Sequence, residues 1–107
     1  MKTIGQIFRD ARKERGLSLR QAADLLGIDY THLSKIENDR STAPGLELLS
    51  RVAVEFDQDY DTLLLASGRL PDWMTARILE KPEVFYRLCK FSDEKLNNAV
   101  KLYVGRD

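Results

Sequence analysis

Several residue types on which protein chemistry commonly depends are scarce in this 107-residue sequence. It holds one cysteine, Cys89, which cannot form an internal disulfide, and this indicates a reducing compartment. No base stands near that thiol in the sequence, so we expect Cys89 to be a half-packed structural residue and not a nucleophile. No apolar run is long enough to span a bilayer, and Met1-Lys2 leads into an amphipathic segment and not into a signal sequence. We therefore expect a cytoplasmic protein with no membrane contact.

Motifs that would support catalysis or cofactor binding are also missing. His32 is the single histidine, it lies far from Cys89 in the sequence, and no metal-ligand spacing surrounds it. There is no glycine-rich phosphate loop. Asp57, Asp59 and Asp61 lack the spacing and the glycine of an EF-hand, which favours a helix cap and a solvated edge. We therefore predict no enzyme activity, no metal site and no cofactor.

The net charge is zero, but the charges are distributed unevenly. Residues 1–40 carry eight Lys or Arg against six Asp or Glu, and residues 41–67 carry one against five. The last forty residues again carry eight against six. Non-specific attraction to a nucleic acid should therefore be weak, and binding would depend on base contacts and on dimerisation.

The stretch Leu17–Asn38 contains two short amphipathic segments joined by a tight connection. Ser18 is a predicted N-cap for the first and Asp29 for the second. Apolar residues recur at helical spacing at Leu19, Ala22, Ala23 and Leu26, and then at Leu33 and Ile36. Gly27 suits a left-handed position after the first helix, which lets the chain turn sharply.

This layout resembles the helix-turn-helix of the Cro/lambda-repressor-type (XRE) family of DNA-binding transcriptional regulators. The resemblance implies an all-α fold, with a five-helix lambda-repressor-like DNA-binding domain over residues 1–68. A short helical C-terminal extension would then occupy residues 69–107. The resemblance covers roughly the first three-fifths of the chain, so the extension is interpreted from its residues alone.

The rest of the apolar pattern predicts six further helices. One is predicted over Thr3–Arg15, one with Pro44 in its opening turn, and one capped by Asp59. The extension is predicted to hold three helices, which begin near Pro71-Asp72, Pro82 and Ser92. Val84, Phe85, Leu88 and Phe91 are predicted to face inward.

The second helix of the motif carries the candidate base-reading residues. On a helical wheel Thr31, Ser34 and Lys35 lie opposite its two apolar residues, with Tyr30 at one edge. The resemblance points to the same positions, and it implies that Lys35 donates to guanine and that Thr31 meets a thymine methyl or an acceptor. The alternative is an ordinary solvated face.

Contacts to the DNA backbone are expected from both ends of the motif. The resemblance departs from this sequence at Leu19, where relatives often hold a glutamine that clamps a phosphate; Arg20 or Gln21 would take over. His32 is expected nearer the buried edge, as a packing or phosphate contact. The predicted backbone contacts are Ser18, Arg20, Gln21, His32, Asn38, Arg40, Ser41 and Thr42. For the last three, an ordinary polar loop is the alternative.

The resemblance also implies a structural pair, Arg12 with Glu37. Relatives often join an arginine four residues before the glycine that ends the first helix, here Gly16, to a glutamate of the recognition helix. Such a pair would brace the recognition helix against the first helix.

The extension is too apolar and aromatic for a disordered linker. Its predicted dimer or partner surface consists of Trp73, Ile78, Phe85, Leu88, Leu96, Val100 and Tyr103. The first hypothesis is a repressor that binds double-stranded DNA at an inverted-repeat operator as a homodimer. The second is an antitoxin or adaptor whose C-terminal helices bind a partner protein, with DNA binding secondary.

Overall fold

The computed structural model describes residues 1–104, and it describes side chains as far as Leu102. The regular elements of this part of the chain are all α-helices, which confirms the predicted fold class. They form two compact units, Met1–Pro71 and a second unit that begins at Asp72. The first unit holds five helices, α1 Ile4–Glu14, α2 Leu19–Leu26, α3 Tyr30–Glu37, α4 Leu46–Glu55 and α5 Tyr60–Ala66.

Reciprocal side-chain caps fix where α1 and α2 begin. The Thr3 hydroxyl accepts a hydrogen bond from Gln6 N at 3.1 Å, and the Gln6 side chain accepts one from Thr3 N at 3.0 Å. Ser18 and Gln21 form the same capping box at the start of α2. Each box satisfies two backbone N–H groups that have no partner inside the helix.

The start of α3 is fixed differently. Asp29 is the N-cap, as predicted, with the extended backbone of that position, but its side chain makes no capping hydrogen bond. The helix is set instead by the turn before it, where Gly27 adopts a left-handed φ of 69°. The turn then directs Leu33 and Ile36 into the core, where both are buried.

The first unit encloses one apolar core to which all five helices contribute. The largest fully buried side chains are Phe8, Leu26, Leu33, Ile36, Leu49, Val52, Phe56, Leu63 and Pro71. Fully burying a side chain of this size contributes about 1.5–3 kcal/mol. Leu33 and Ile36 of α3 belong to this core, whereas Thr31 and Lys35 are exposed, so the core holds α3 on one side and leaves its opposite side in solvent.

Pro44 lies outside α4, so its predicted place in the opening turn is wrong. The helix begins at Leu46, and Gly45 takes the N-cap conformation with φ −67° and ψ 160°. Pro44 is buried one residue before that cap. A residue there commonly packs against the fourth helical residue, here the buried Leu49.

The cap of α5 makes one contribution to stability depend on pH. The Asp59 carboxylate accepts hydrogen bonds from Thr62 N at 3.0 Å and from the Thr62 hydroxyl at 2.7 Å. These bonds lower the pKa of Asp59, and the bond from the Thr62 hydroxyl has the larger effect. A carboxyl with a lowered folded-state pKa stabilises the protein above its unfolded pKa, and the contribution disappears as the pH falls through the folded value.

We therefore expect wild type to exceed Asp59→Asn in urea midpoint at about pH 6 and to show a smaller advantage at about pH 3, below the unfolded-state pKa of aspartate. Asp57→Asn is the control, because the Asp57 side chain makes no hydrogen bond among the described residues. A difference between wild type and Asp59→Asn that is equally large at both pH values would contradict this interpretation.

The second unit has little core of its own. It holds α6 Asp72–Glu80, α7 Pro82–Leu88 and α8 Asp93–Val104, and neither α6 nor α7 contains a fully buried residue. The half-buried apolar side chains of the unit include Met74, Ile78, Phe85, Leu88, Phe91, Leu96 and Ala99. Val84 is 53% exposed, so its predicted inward orientation is wrong. Because the unit has so little core, only one side of each helix is partly buried.

Cys89 is exposed, so the expectation of a half-packed thiol is also wrong. It lies at the C-cap of α7, beyond the stripe through which that helix packs. Among the described residues, no helix has both the length and the apolar character needed to cross a bilayer.

Candidate nucleic-acid interface

The exposed face of α3 carries most of the predicted base-reading residues. Tyr30, Thr31 and Lys35 are exposed, whereas Ser34 is half-buried. The opposite face of the helix lies in the core, so these side chains point away from the body of the first unit. They are therefore available to a ligand that approaches α3 from solvent.

Arg20 and Tyr30 join the beginnings of α2 and α3. The guanidinium carbon of Arg20 lies 4.3 Å from the centroid of the Tyr30 ring, within the range of a cation–π interaction. Both residues are exposed. The contact orients a cation beside the base-reading face, a relation that their separation of ten residues in the sequence does not reveal.

The capping box limits what the start of α2 offers to a phosphate. The Ser18 hydroxyl accepts from Gln21 N at 3.1 Å, and the Gln21 side-chain oxygen accepts from Ser18 N at 2.9 Å. The side-chain NH2 of Gln21 and the backbone amides of Leu19 and Arg20 remain as donors. The positive end of the helix dipole strengthens them as donors to an anion.

His32 is exposed, so it is not the packing contact that was one of its two predicted roles. It lines an open cleft of about 390 Å³ between the α2–α3 turn and the start of α4. The α4 side chain Arg51 crosses this cleft, donating to Leu26 O at 2.9 Å and pairing with Glu47 at 3.0 Å. The cleft separates His32 from α4, which is why the side chain is not covered.

The end of α3 is held by side chains from α1. Arg9 donates to Glu37 O at 2.9 Å and to the side-chain oxygen of Asn38 at 3.0 Å. The Asn38 amide also donates to Ser34 O at 2.8 Å. Because Asn38 is engaged within the protein at both ends of its amide, it is less available to DNA than its exposure suggests.

Of the following loop, Arg40 and Thr42 are exposed and Ser41 is half-buried. Arg40 N donates to Lys35 O at 2.9 Å, so the loop begins against the last turn of α3. Arg40 is exposed, so its positive charge is accessible to solvent next to the end of α3.

The structure brings Arg12 and Glu37 together in a two-bond ion pair. Arg12 Nε lies 2.8 Å from one Glu37 oxygen, and a terminal nitrogen of Arg12 lies 2.9 Å from the other. Arg12 also donates to Leu17 O at 2.9 Å. The hydrogen bond to Glu37 raises the pKa of Arg12 above its ordinary value, against the opposing effect of burial.

Sequence reasoning missed three residues that organise this surface: Arg9, Asp39 and Arg51. Asp39 has a left-handed φ of 54°, unusual for a residue other than glycine, and hydrogen-bonds to the start of α1. No local pattern announces these contacts, because each joins residues 25 or more positions apart.

The seven apolar residues predicted as a dimer or partner surface divide into three groups. Trp73 and Val100 are 61% and 58% exposed. Four are half-buried within the second unit: Ile78, Phe85, Leu88 and Leu96. The side chain of Tyr103 lies outside the described residues. Four exposed apolar residues were missed, namely Leu79, Tyr86, Leu102 and Val84.

Residues 8–63 match the family described as "Helix-turn-helix". SinR of Bacillus subtilis, an HTH-type transcriptional regulator, is 38% identical over 61 residues, which are 57% of this chain and 55% of SinR. The chain thus matches SinR over about half of that protein's length.

Two solved structures resemble this one. A SinR structure in complex with DNA is 37% identical, with a TM-score of 0.54, and covers 58% of this chain and 98% of its own. The matched chain of a complex of the SinR and SinI proteins is 25% identical, with a TM-score of 0.54. The match covers 97% of this chain and 97% of that chain. The SinR of the DNA complex is the master regulator for biofilm formation.

Proposed function

Because the chain belongs to the helix-turn-helix family, matched over residues 8–63, we propose that it is a sequence-specific transcriptional regulator that binds double-stranded DNA through α3. The observation that carries this proposal is the two-sided character of α3, with one face in the core and Tyr30, Thr31 and Lys35 exposed on the other. Such a helix fits the major groove. The likeness to a DNA-bound SinR structure supports it.

We assign base reading to Tyr30, Thr31, Ser34 and Lys35. Lys35 donates to guanine O6 or N7, and Thr31 meets a thymine methyl or an acceptor. Ser34 is half-buried, so less of its side chain is available to a base than that of Thr31 or Lys35. Tyr30 acts together with Arg20, whose guanidinium stands over its ring.

Phosphate contacts come from the start of α2 and from the loop after α3. At α2, Arg20, the Gln21 NH2 and the Ser18–Gln21 turn face the backbone. After α3, Arg40, Ser41 and Thr42 follow the groove edge. His32 is proposed as a phosphate contact, because it is exposed beside the turn of the motif. Asn38 contributes to DNA binding indirectly, because its side-chain amide holds the protein backbone at the end of α3.

We further propose that the protein is a repressor that acts as a homodimer on an inverted-repeat operator. Half-sites about 34 Å apart would each receive one α3. A dimer on both half-sites blocks other proteins from the same DNA. Its place of action would be the cytoplasm, and neither an enzyme activity nor a cofactor is part of the proposal.

Lys35→Ala tests base reading. We expect it to weaken binding to the DNA sequence that wild type selects from a random library by about 1–3 kcal/mol. The physical reason is the loss of a donor that the groove cannot replace, so discrimination at one base pair of each half-site should also fall. Titration with selected and scrambled DNA measures both quantities.

Lys101→Ala is the matched control, because it removes the same charge from an exposed position in the second unit. It should leave the base preference unchanged. The proposal fails if wild type has no preference over scrambled DNA, or if Lys35→Ala weakens both DNAs equally.

A second candidate function is an antitoxin or adaptor that binds a partner protein through α6–α8. It is favoured by the exposed apolar side chains of a unit with little core, and by the full-length likeness to the SinR–SinI complex. Light scattering separates the two candidates. A homodimer favours the repressor, whereas a monomer that preserves its exposed apolar face favours the adaptor.

A further inference from the structure

Asp39 occupies a backbone position that usually belongs to glycine. After the C-cap Asn38, Asp39 has φ +54°, its N–H donates to Ile36 O at 3.0 Å, and Arg40 N donates to Lys35 O at 2.9 Å. These two bonds form the Schellman arrangement that ends many helices. Glycine adopts this conformation without strain, whereas a residue with a Cβ does not.

The side chain of Asp39 reaches the beginning of a different helix. One carboxylate oxygen accepts from Gly5 N at 3.1 Å, and the other accepts from the Thr3 hydroxyl at 2.8 Å. Gly5 N is among the first amides of α1, which have no partner inside the helix. A carboxylate at a helix N-terminus is also favoured by the helix dipole.

Gly5 makes this approach possible. A Cβ on Gly5 would lie 2.6 Å from Ile36 O, 2.8 Å from Glu37 O and 2.7 Å from a carboxylate oxygen of Asp39. Real Cβ atoms essentially never come so near to such atoms. The last turn of α3 therefore sits directly against the first turn of α1, with Asp39 as the polar link.

We propose that Asp39 is a positioning residue for DNA binding, which acts through Arg40. Its link to Thr3 and Gly5 fixes the direction in which the chain leaves α3, and this aims the Arg40 side chain at a phosphate. The inference rests on the proposed function. It adds a determinant that touches no DNA and that a helix end stabilised by glycine would lack.

A second aspartate gives the experiment a matched control. Asp57 follows α4 with φ +48°, and Gln58 N donates back to Ala53 O at 3.1 Å, which is the counterpart of the bond from Arg40 N to Lys35 O. Its side chain makes no hydrogen bond among the described residues. Replacing either aspartate by glycine relieves the same backbone strain, but only Asp39→Gly removes a link.

Full-length wild type, Asp39→Gly, Asp57→Gly, Arg40→Ala and the double variant Asp39→Gly/Arg40→Ala are titrated with the DNA that wild type selects, over a range of salt. We expect Asp39→Gly to weaken binding about three- to tenfold and to lower the slope of log K against log salt by about 1, the value for one phosphate contact. Arg40→Ala should lower it equally. The double variant should lose no more affinity than either single variant. The affinity and the salt slope of Asp57→Gly should match those of wild type.

Asp39→Asn guards against a folding defect. Asparagine tolerates the left-handed conformation and keeps an acceptor oxygen, so binding should stay within about threefold of wild type. Amide hydrogen exchange gives a readout without DNA: the Gly5 amide, which donates to the Asp39 carboxylate, should exchange faster in Asp39→Gly, with α3 unchanged.

The outcomes separate the two proposals. An unchanged salt slope and unchanged exchange in Asp39→Gly overturn the positioning role while DNA binding by wild type stands. Additive losses in the double variant overturn action through Arg40. If wild type itself has no base preference, the proposed function fails, and faster exchange at the Gly5 amide then supports only the link between Asp39 and α1, which overturns the role in DNA binding.

Discussion

Replacing Glu37 by glutamine is expected to lower the free energy of unfolding by about 3–5 kcal/mol, the cost of breaking a buried ion pair. The Glu37 side chain is 3% exposed and that of Arg12 is 13% exposed. Glutamine keeps the shape of glutamate, but it leaves the Arg12 guanidinium without a counter-charge where little water can replace it. Because Arg12 retains some exposure, the lower end of that range is expected.

The charge of Arg12 does not change within the usual pH range. Its pKa is raised above an already high ordinary value, chiefly by the hydrogen bond to Glu37. A group with a raised pKa contributes its full stabilisation below its unfolded-state pKa and loses it only above the folded value. Neutral-pH measurements therefore report the loss of the partner and not a titration of Arg12.

Glu47→Gln is the control for the same chemical change. Glu47 pairs with Arg51 at 3.0 Å, but the two side chains are 83% and 48% exposed. An exposed pair contributes about 0–1 kcal/mol, so this variant should unfold at nearly the wild-type urea concentration. Urea denaturation followed by far-ultraviolet circular dichroism measures both variants. Equal effects of Glu37→Gln and Glu47→Gln would show that burial does not set the strength of the pair.

The sequence is sufficient where structure is local. Thr3, Ser18 and Asp59 cap helices because each stands immediately before an apolar repeat and its side chain reaches an amide three residues later. Gly27 makes the sharp turn because it tolerates the left-handed conformation. These signals, together with helical periodicity, predicted individual helices, and the resemblance to the helix-turn-helix family implied the all-α fold that the structure confirms.

The sequence is insufficient where contacts join distant parts of the chain. Asp39 reads as a loop residue until α1 is placed beside the end of α3, 34 residues away from Gly5. Arg9 likewise reads as one charge of a basic helix. The exposure of His32 follows from a cleft bordered by α4, which the pattern of α3 alone does not contain. Tertiary packing decides all three.

Substituting Val100 by glutamate is expected to convert the proposed dimer into a monomer and to weaken operator binding by about 10²–10⁴-fold. Val100 is 58% exposed on α8, in a unit where several large apolar side chains lack cover. A glutamate there would bring an unpaired charge into an apolar interface. Once the protomers separate, each α3 binds its half-site as an independent event, and the gain from their linkage disappears.

Val54→Glu is the matched control, because Val54 is 80% exposed on α4 in the first unit. It introduces the same charge at an exposed valine, so self-association and operator affinity should stay near wild type. Leu79→Glu repeats the test on α6, where Leu79 is 71% exposed. Light scattering gives the mass of each variant, and titration with one and with two half-sites gives the affinity.

The affinities for one and for two half-sites distinguish a defect in dimerisation from a defect in base recognition by α3. A monomeric Val100→Glu should bind a single half-site as tightly as a wild-type protomer does, because α3 is untouched; its loss should be confined to the two-half-site operator. Lys35→Ala should show the reverse pattern, with a weakened half-site and an intact dimer. If both Val100→Glu and Leu79→Glu remain dimeric, the second unit is not the dimer interface. If wild type is monomeric and binds one half-site as well as two, the regulator does not depend on an inverted repeat.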